Sequence, residues 1–439
     1  MGTLLSQQFT ERKDAFVGAS IPWLREARKQ GIDHFSEVGF PTVRDEHWKY
    51  TNVSPIEKHE FKLADDQNSA IKKQDLEAFR FNNLETNELI FVNGKFSSEL
   101  SQFDQNDGVV LENMSDWLAN KADQDLSIKT NDNVFASLNN AFMTDGAVLH
   151  ISKNISLEKP VHLIFVSTKT DEKIMSYPRI DIRLEANAAA TLIESYVYLS
   201  DEDNSTKNFT NTLTNIVAGP NSQLEHYRIQ QESLGAYHIG NIHIDQQKDS
   251  RVTSHSISLG ASIARVDIKV KLSEAGSENV LNGLFMGKGR QHTDHHILAD
   301  HLSPHTRSEE YFKGIMDDGS RGVFNGKVIV HEDAQKIEAI QSNKNLLLSP
   351  HAEVDTKPEL EIYADDVKCA HGATIGRLND AELFYLQSRG ISAEKAIALL
   401  TYAFADDVIN RMNIAPVREY LEQKIVGQLS SLENIKDLV

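Results

Sequence analysis

The chain has 439 residues, 40% hydrophobic and 25% charged, with 45 basic against 64 acidic side chains and a formal charge of −19. That length supports a large core, built as two or three domains or as one extended repeat with end caps. The acidic balance and the lack of a basic stripe argue against nucleic acid and anionic membrane partners, and no apolar run approaches the ~18–20 residues of a membrane helix.

The first sixteen residues are polar and charged, without the apolar centre of a secretory signal. Met1-Gly2-Thr3-Leu4-Leu5-Ser6 fits the formal myristoylation pattern, but it reads as an ordinary helix start. Region 1–144 mixes helices and short strands. Ile21-Pro22-Trp23 precedes a charged helical segment, 24–30, which Gly31 is expected to end. Residues 88–96 read as a hairpin around Asn93-Gly94. Phe135, Leu138 and Phe142 recur at helical spacing, with Gly146 beyond them.

Region 145–372 is strand after strand, for example 161–166, 180–184, 191–199, 212–217, 223–229, 252–259, 266–272 and 322–330. Many alternate by twos, as in Ile180, Ile182, Leu184. Such a run must close or stack to protect its edges. Irregular, closely spaced strands suit a β-solenoid, although no crisp repeat is visible, and Asn282-Gly283 and Asn325-Gly326 equally suit hairpin turns. Region 373–439 is helical from Asn379 onward. Asn379 with Glu382 resembles a capping box, Gly390 is a natural stop, Ser392 caps a second helix, and Pro416 opens a third.

Candidate chemistry is sparse. The nearest approach to a phosphate-binding loop, Gly322-Val323-Phe324-Asn325-Gly326-Lys327-Val328, lacks the required flanking residues, so any ATP must be handled by another chain. His292, Asp294 and His296 would share one face of a strand, with His295, His301 and His305 nearby; imidazole and carboxylate suit Fe(II) or Zn(II), and a polar surface ladder with hydrogen-bonded imidazoles is the plain alternative. Cys369 is the sole cysteine, which rules out an intramolecular disulfide, fits a reducing cytoplasm and prevents this chain from building a four-cysteine cluster site alone. On a strand, Cys369 and His371 share a face ~6.5–7 Å apart. An imidazolium or Lys368 beside the thiol would favour the thiolate; a buried, inert cysteine is the plain alternative.

Several segments resemble the SufD family of the SUF iron–sulfur assembly system. They are 341–349 (Gln-Ser-Asn-Lys-Asn-Leu-Leu-Leu-Ser), 352–374 with its Val367-Lys368-Cys369-Ala370-His371-Gly372, and 383–391. His292-Thr293-Asp294, Tyr311-Phe312-Lys313-Gly314, Asp333-Ala334-Gln335-Lys336 and Glu46-His47-Trp48-Lys49-Tyr50-Thr51 are similar too. The resemblance covers most of the chain and is densest from His292 to Ile391. It implies a right-handed parallel β-helix (β-solenoid) between an N-terminal mixed α/β cap and a C-terminal helical cap. It implies a cytoplasmic, non-catalytic scaffold subunit that pairs with SufB and with two copies of the SufC ATPase, which dock on the C-terminal helices. A nascent iron–sulfur cluster would form transiently at the SufB interface, with His371 as candidate ligand and Cys369 beside it. Apart from the resemblance, the end strand of a β-helix can pair with a copy of itself, which leaves a homodimer open when SufB is absent. A SufB-like paralogue is disfavoured because that family uses more cysteines. A carbohydrate-active β-helix enzyme would need acids along a groove, and pairs such as Asp365-Asp366 are common on solvated turns.

Overall fold

The computed structural model describes residues 2–64, 71–120, 133–199 and 206–429; Met1 and residues 430–439 lie outside this set. The centre of the chain is a parallel β-solenoid of about eight coils. Each coil gives one strand to each of two facing sheets. One sheet runs from Gly146–Ile151 through alternate strands to Glu353–Ile362, the other from Val161–Thr168 to Val367–Gly376. Every strand hydrogen-bonds in parallel to the equivalent strand of the next coil.

The period-two alternation has a direct structural meaning. Along Gln223–Gln231, Leu224 joins the apolar lumen, whereas Tyr227 and Ile229 join a cluster on the outer face. Both faces are buried because helices cover the outside, so many strands lack a polar side. The coils are not of one length: Tyr237 pairs with Ile263, 26 residues on, and Glu310 with Gln341, 31 residues on. That drift hides the repeat from sequence comparison. A corner does repeat, as Asn154, Asn187, Asn221 and Asp249 all take positive φ, between 55° and 64°. Asn tolerates this left-handed conformation, and its amides ladder upward, Asn187 Nδ2 to Asn154 Oδ1 at 2.7 Å and Asn221 Nδ2 to Asn187 Oδ1 at 2.8 Å.

Neither Asn-Gly pair makes a turn. Asn282-Gly283 and Asn325-Gly326 lie inside Glu278–Gly287 and Arg321–Val330. Their glycines make room in the lumen: a Cβ on Gly283 would lie 2.1 Å from the Phe312 ring, and one on Gly326 would lie 2.2 Å from Gln341 Nε2.

The solenoid is closed at its N-terminal end. Asn87–Val92 extends one sheet in parallel and forms the expected hairpin with Lys95–Phe96, while Val109–Asn113 closes the other sheet antiparallel to Gly146–Ile151. Helices Gly2–Arg12, Pro22–Val38 and Val134–Phe142 pack an aromatic-rich cluster against Phe209, Tyr237, Ile239 and Ile263 on one outer face. Gly31 does not end its helix, which runs on to Val38 with Gly39 following. It sits instead where two helices cross, and a Cβ there would meet Ser137 O at 2.4 Å. At the C-terminus, Asp380–Ser388, Ala393–Ile409 and Ala415–Gln428 are helices. Asn379 and Ser392 cap the first two, bonding Ala381 N and Lys395 N. The second and third helices pack on the other outer face, through Ala405, Val408, Ile409, Val417, Leu421 and Ile425.

Gly31→Ala separates the two roles of that glycine. On an open helix face the change would stabilise by ~1 kcal/mol; at this crossing it is expected to destabilise by roughly 1–3 kcal/mol through overpacking. Urea unfolding of the two proteins measures which effect dominates.

Candidate functional site at the open end of the solenoid

Among the described residues, the last coil has no coil above it. Glu353–Ile362 and Val367–Gly376 are the terminal strands of the two sheets, and their residues are half-buried to exposed, where earlier strands are mostly buried. Ile362, Tyr363 and Ile375 are 40%, 63% and 48% exposed. In a parallel ladder about half of an end strand's backbone groups point away from its one neighbour. This end therefore offers two side-by-side edges of ten residues each.

Cys369 and His371 both lie on the last strand. Cys369 is in register with Ala339 and His371 with Gln341, and these two partners face the lumen. The two residues therefore share the inner side of the strand, as their spacing predicts. Cys369 is half-buried against an apolar cluster containing Val328, Val330 and Ala364. Burial pushes its thiol upward, partly offset by a hydrogen bond involving the Ala339 backbone. Lys368 lies on the opposite side of the strand, so the expected activation of the thiol is not realised in the isolated chain. His371 is exposed at the rim of the lumen.

Beneath His371 the lumen turns polar. Gln341 Nε2 donates to Glu310 Oε2 at 2.7 Å, and Glu310, Gln341 and His371 occupy one register position in three successive coils. Burial raises the Glu310 carboxyl to about 7, with the Gln341 bond opposing it. Deeper in, Glu194 accepts from Tyr196 and Thr214 and lies 3.1 Å from His226, while Glu232 lies 2.7 Å from His238. Sequence reasoning missed this polar seam. Its signal was present in Leu224-Glu225-His226-Tyr227-Arg228, where the inward parity carries His and Arg.

His292, Asp294 and His296 share a face, as predicted, but it is the outer face beneath the N-terminal cap. Thr51 Oγ1 lies 2.8 Å from His292 Nε2 and donates to Asp294 Oδ2. Arg265 bridges the group: its guanidinium donates to Asp294 at 3.1 Å, to both Asp267 oxygens at 3.0 and 2.8 Å, and to His47 O at 2.7 Å. Trp48 stacks on that guanidinium, 3.7 Å from ring centroid to Cζ. His296 Nε2 stands 3.2 Å from Asp294 Oδ1. Although burial pushes Asp294 up, His296 and Arg265 hold its carboxyl below the ordinary range; burial pushes His292 down. Among the described residues no group of His, Cys, Asp and Glu converges with metal-holding geometry. His295 faces the lumen, 3.2 Å from Ser256 Oγ, His301 bonds Thr306 and Ser308, and His305 is a positive-φ corner residue.

The C-terminal helices are pinned to the solenoid beside this end. Lys313 Nζ reaches Asp407 Oδ2 at 2.7 Å and Phe404 O at 2.9 Å, Tyr311 donates to Asp407, and Arg411 stacks over the Tyr311 ring at 3.8 Å. Helix Asp380–Ser388 buries none of its residues and leaves Phe384 and Tyr385 73% and 56% exposed. No helix among the described residues is long and apolar enough to cross a membrane.

Two family models match. Residues 165–404 match the SufBD core domain of the SUF system for Fe–S cluster assembly, and residues 3–163 match the N-terminal region of SufBD proteins. An iron–sulfur cluster assembly SufBD family protein of Synechocystis is 34% identical over 422 residues, covering 94% of this chain and 93% of that protein. Iron–sulfur cluster assembly protein SufD of Escherichia coli is 29% identical, with 91% of each chain covered. Protein ABCI7, chloroplastic, of Arabidopsis thaliana is 27% identical, covering 97% of this chain and 90% of that one.

Two outcomes follow from these geometries. Arg265→Met leaves buried Asp294 without its counter-charge and is expected to cost about 3–5 kcal/mol at pH 7. Because Asp294 is held low, its stabilisation is present above the ordinary carboxylate pKa and lost on acidification, so the gap between variant and wild type narrows below about pH 4. Glu310 has the opposite sign. Its raised pKa makes the fold lose stability as pH rises from the ordinary carboxylate value toward about 7. Glu310→Gln is expected to flatten that slope in urea midpoints measured from pH 5 to 8.

Proposed function

Because this chain belongs to the SufBD family of the SUF system, we propose that it is the SufD-like subunit of an iron–sulfur assembly complex, whose open last coil pairs with a SufB-type partner and presents His371 to a nascent cluster. The observation that carries this reading is the bare end of the solenoid: two adjacent unpaired strand edges, with His371 on the lumen side between them. A second solenoid ended in the same way would continue both sheets by strand addition. The cluster is cargo. With Cys369 as its one cysteine, this chain holds a cluster only jointly, so the partner supplies the remaining ligands. Cys369 is the second candidate, and iron bound at the covered end would draw it to the thiolate form against the upward push of burial. The same edges serve pairing with a second copy of this chain when the partner is missing.

The protein acts in the cytoplasm as a non-catalytic scaffold, and a SufC-type ATPase supplies nucleotide hydrolysis. Its docking site is helix Asp380–Ser388, where Phe384 and Tyr385 form an exposed aromatic anchor of the kind that dominates interfaces. The Asp407–Lys313 latch ties the neighbouring helix to a strand two coils removed from Val367–Gly376, giving ATP-driven movement a mechanical route to the cluster site. We assign His292, Asp294 and His296 to clamping the N-terminal cap rather than to iron, because Arg265 and Thr51 already engage them. Family membership favours neither a SufB-like paralogue nor a carbohydrate-active enzyme.

Co-purification of this chain with its SufB- and SufC-type partners, followed by anaerobic reconstitution, tests the assignment. His371→Ala is expected to leave the complex intact and remove the cluster absorbance; equal cluster content in both proteins would make this subunit purely structural. Phe384→Asp is expected to weaken retention of the ATPase by at least tenfold, the effect of losing about 1.4 kcal/mol, while the SufB-type partner is still retained.

A further inference from the structure

Gln341 lies directly under His371 in the coil stack, and Glu310 lies directly under Gln341. The Gln341 side chain is buried and held from two sides. Its Nε2 donates to Glu310 Oε2 at 2.7 Å. Across the lumen, Gly326 leaves no spare room, since a Cβ there would stand 2.2 Å from the same nitrogen. The amide oxygen is thereby turned away from Glu310, and Gln341 Oε1 is buried with no hydrogen-bond partner among the described residues. A buried acceptor without a donor is uncommon and calls for an explanation. The residue next in register is His371, whose imidazole carries an N–H to give.

We propose that Gln341 is a positioning residue for His371: it accepts an N–H from the imidazole once the open end is covered, and so leaves the other ring nitrogen unprotonated and aimed at the interface. This rests on the reading of His371 as a cluster ligand. It adds which residue sets the tautomer and ring orientation of that ligand, and it makes Glu310 the anchor that holds the amide in place. Histidine ligands generally hold their metal through one nitrogen while the other donates to a fixed acceptor, and loss of that acceptor typically weakens metal binding about 10–100-fold. The bare acceptor in the isolated chain is the counterpart of the unpaired strand edges, each satisfied by the same docking event.

The experiment uses the full chain in its complex with the SufB- and SufC-type partners, reconstituted anaerobically with Fe(II) and sulfide. Cluster content and the Mössbauer and visible spectra are compared for wild type, His371→Ala, Gln341→Leu and the exchange variant Glu310→Gln/Gln341→Glu. Gln341→Leu keeps approximate volume and removes the acceptor; cluster retention is expected to fall about 10–100-fold with the complex intact. The exchange restores an amide-to-carboxylate bond inside the lumen and returns an acceptor to His371, so it is expected to recover the wild-type spectrum. A wild-type spectrum and content for Gln341→Leu, with His371→Ala depleted, overturns the positioning role and leaves the ligand reading standing. Full cluster content in His371→Ala overturns both. Should Gln341→Leu fail to assemble, the exchange variant decides: a wild-type spectrum supports the proposal, and a depleted one in an assembled complex overturns it.

Discussion

Each coil of this protein satisfies its backbone by bonding to the coil before it and the coil after it, and the last coil has only one of the two. In a stacked parallel architecture each end must therefore be capped by the chain itself or paired with a partner. At the N-terminal end the chain meets it with an antiparallel strand, a hairpin and helices. At the C-terminal end the chain turns away into helices that cover a sheet's outer face and leave the two terminal strands bare. The asymmetry defines the functional end of the molecule. A partner that supplies the next coil satisfies the backbone, covers Ile362, Tyr363 and Ile375, and encloses His371 in the same step.

The lumen links that end to the rest of the protein. Its first half is an apolar and polar mixture in which buried carboxylates are matched by histidines and hydroxyls, as with Glu194 and Glu232. Beyond Phe285, Phe312 and Phe324, which pack across the lumen, the polar residues become Glu310, Gln341 and finally His371. Side chains in such a stack are fixed by their neighbours in adjacent coils, so a residue one coil down governs the geometry of the one above. The outside obeys a different logic. There, ion pairs such as Arg265 with Asp267 and Asp294, and Lys313 with Asp407, fasten the two caps. They are buried or half-buried, and breaking one partner costs more than forming the pair gains.

The strands were legible because period two survives in stretches such as Ile180, Ile182, Leu184, and the helical caps were legible from Asn379, Ser392 and Pro416. Strand-rich pattern alone left sandwich, barrel and solenoid open, because unequal coils blur any repeat. The recurring corner at Asn154, Asn187, Asn221 and Asp249 was the missed clue. Gly31, Gly283 and Gly326 misled for one physical reason: glycine serves close packing as well as turning, and sequence does not separate the two. For the site, shared-face arithmetic placed Cys369 with His371, and His292 with Asp294 and His296, but it did not say which face. That depends on what covers each side, and Thr51, Trp48 and Arg265 come from segments more than two hundred residues apart. Glu310 and Gln341 were invisible as a pair, since only coil register makes them neighbours.

The central claim is that the last coil is the surface where a SufB-type partner adds its strands. Amide hydrogen exchange of this chain, alone and in the assembled complex, tests it most directly. Pairing predicts slowed exchange in 353–362 and 367–376, at the alternate amides that point away from the preceding coil, with strands such as Tyr237–Gln246 unchanged. A stable complex in which these two segments exchange as fast as in the free chain would place the partner elsewhere and contradict the account.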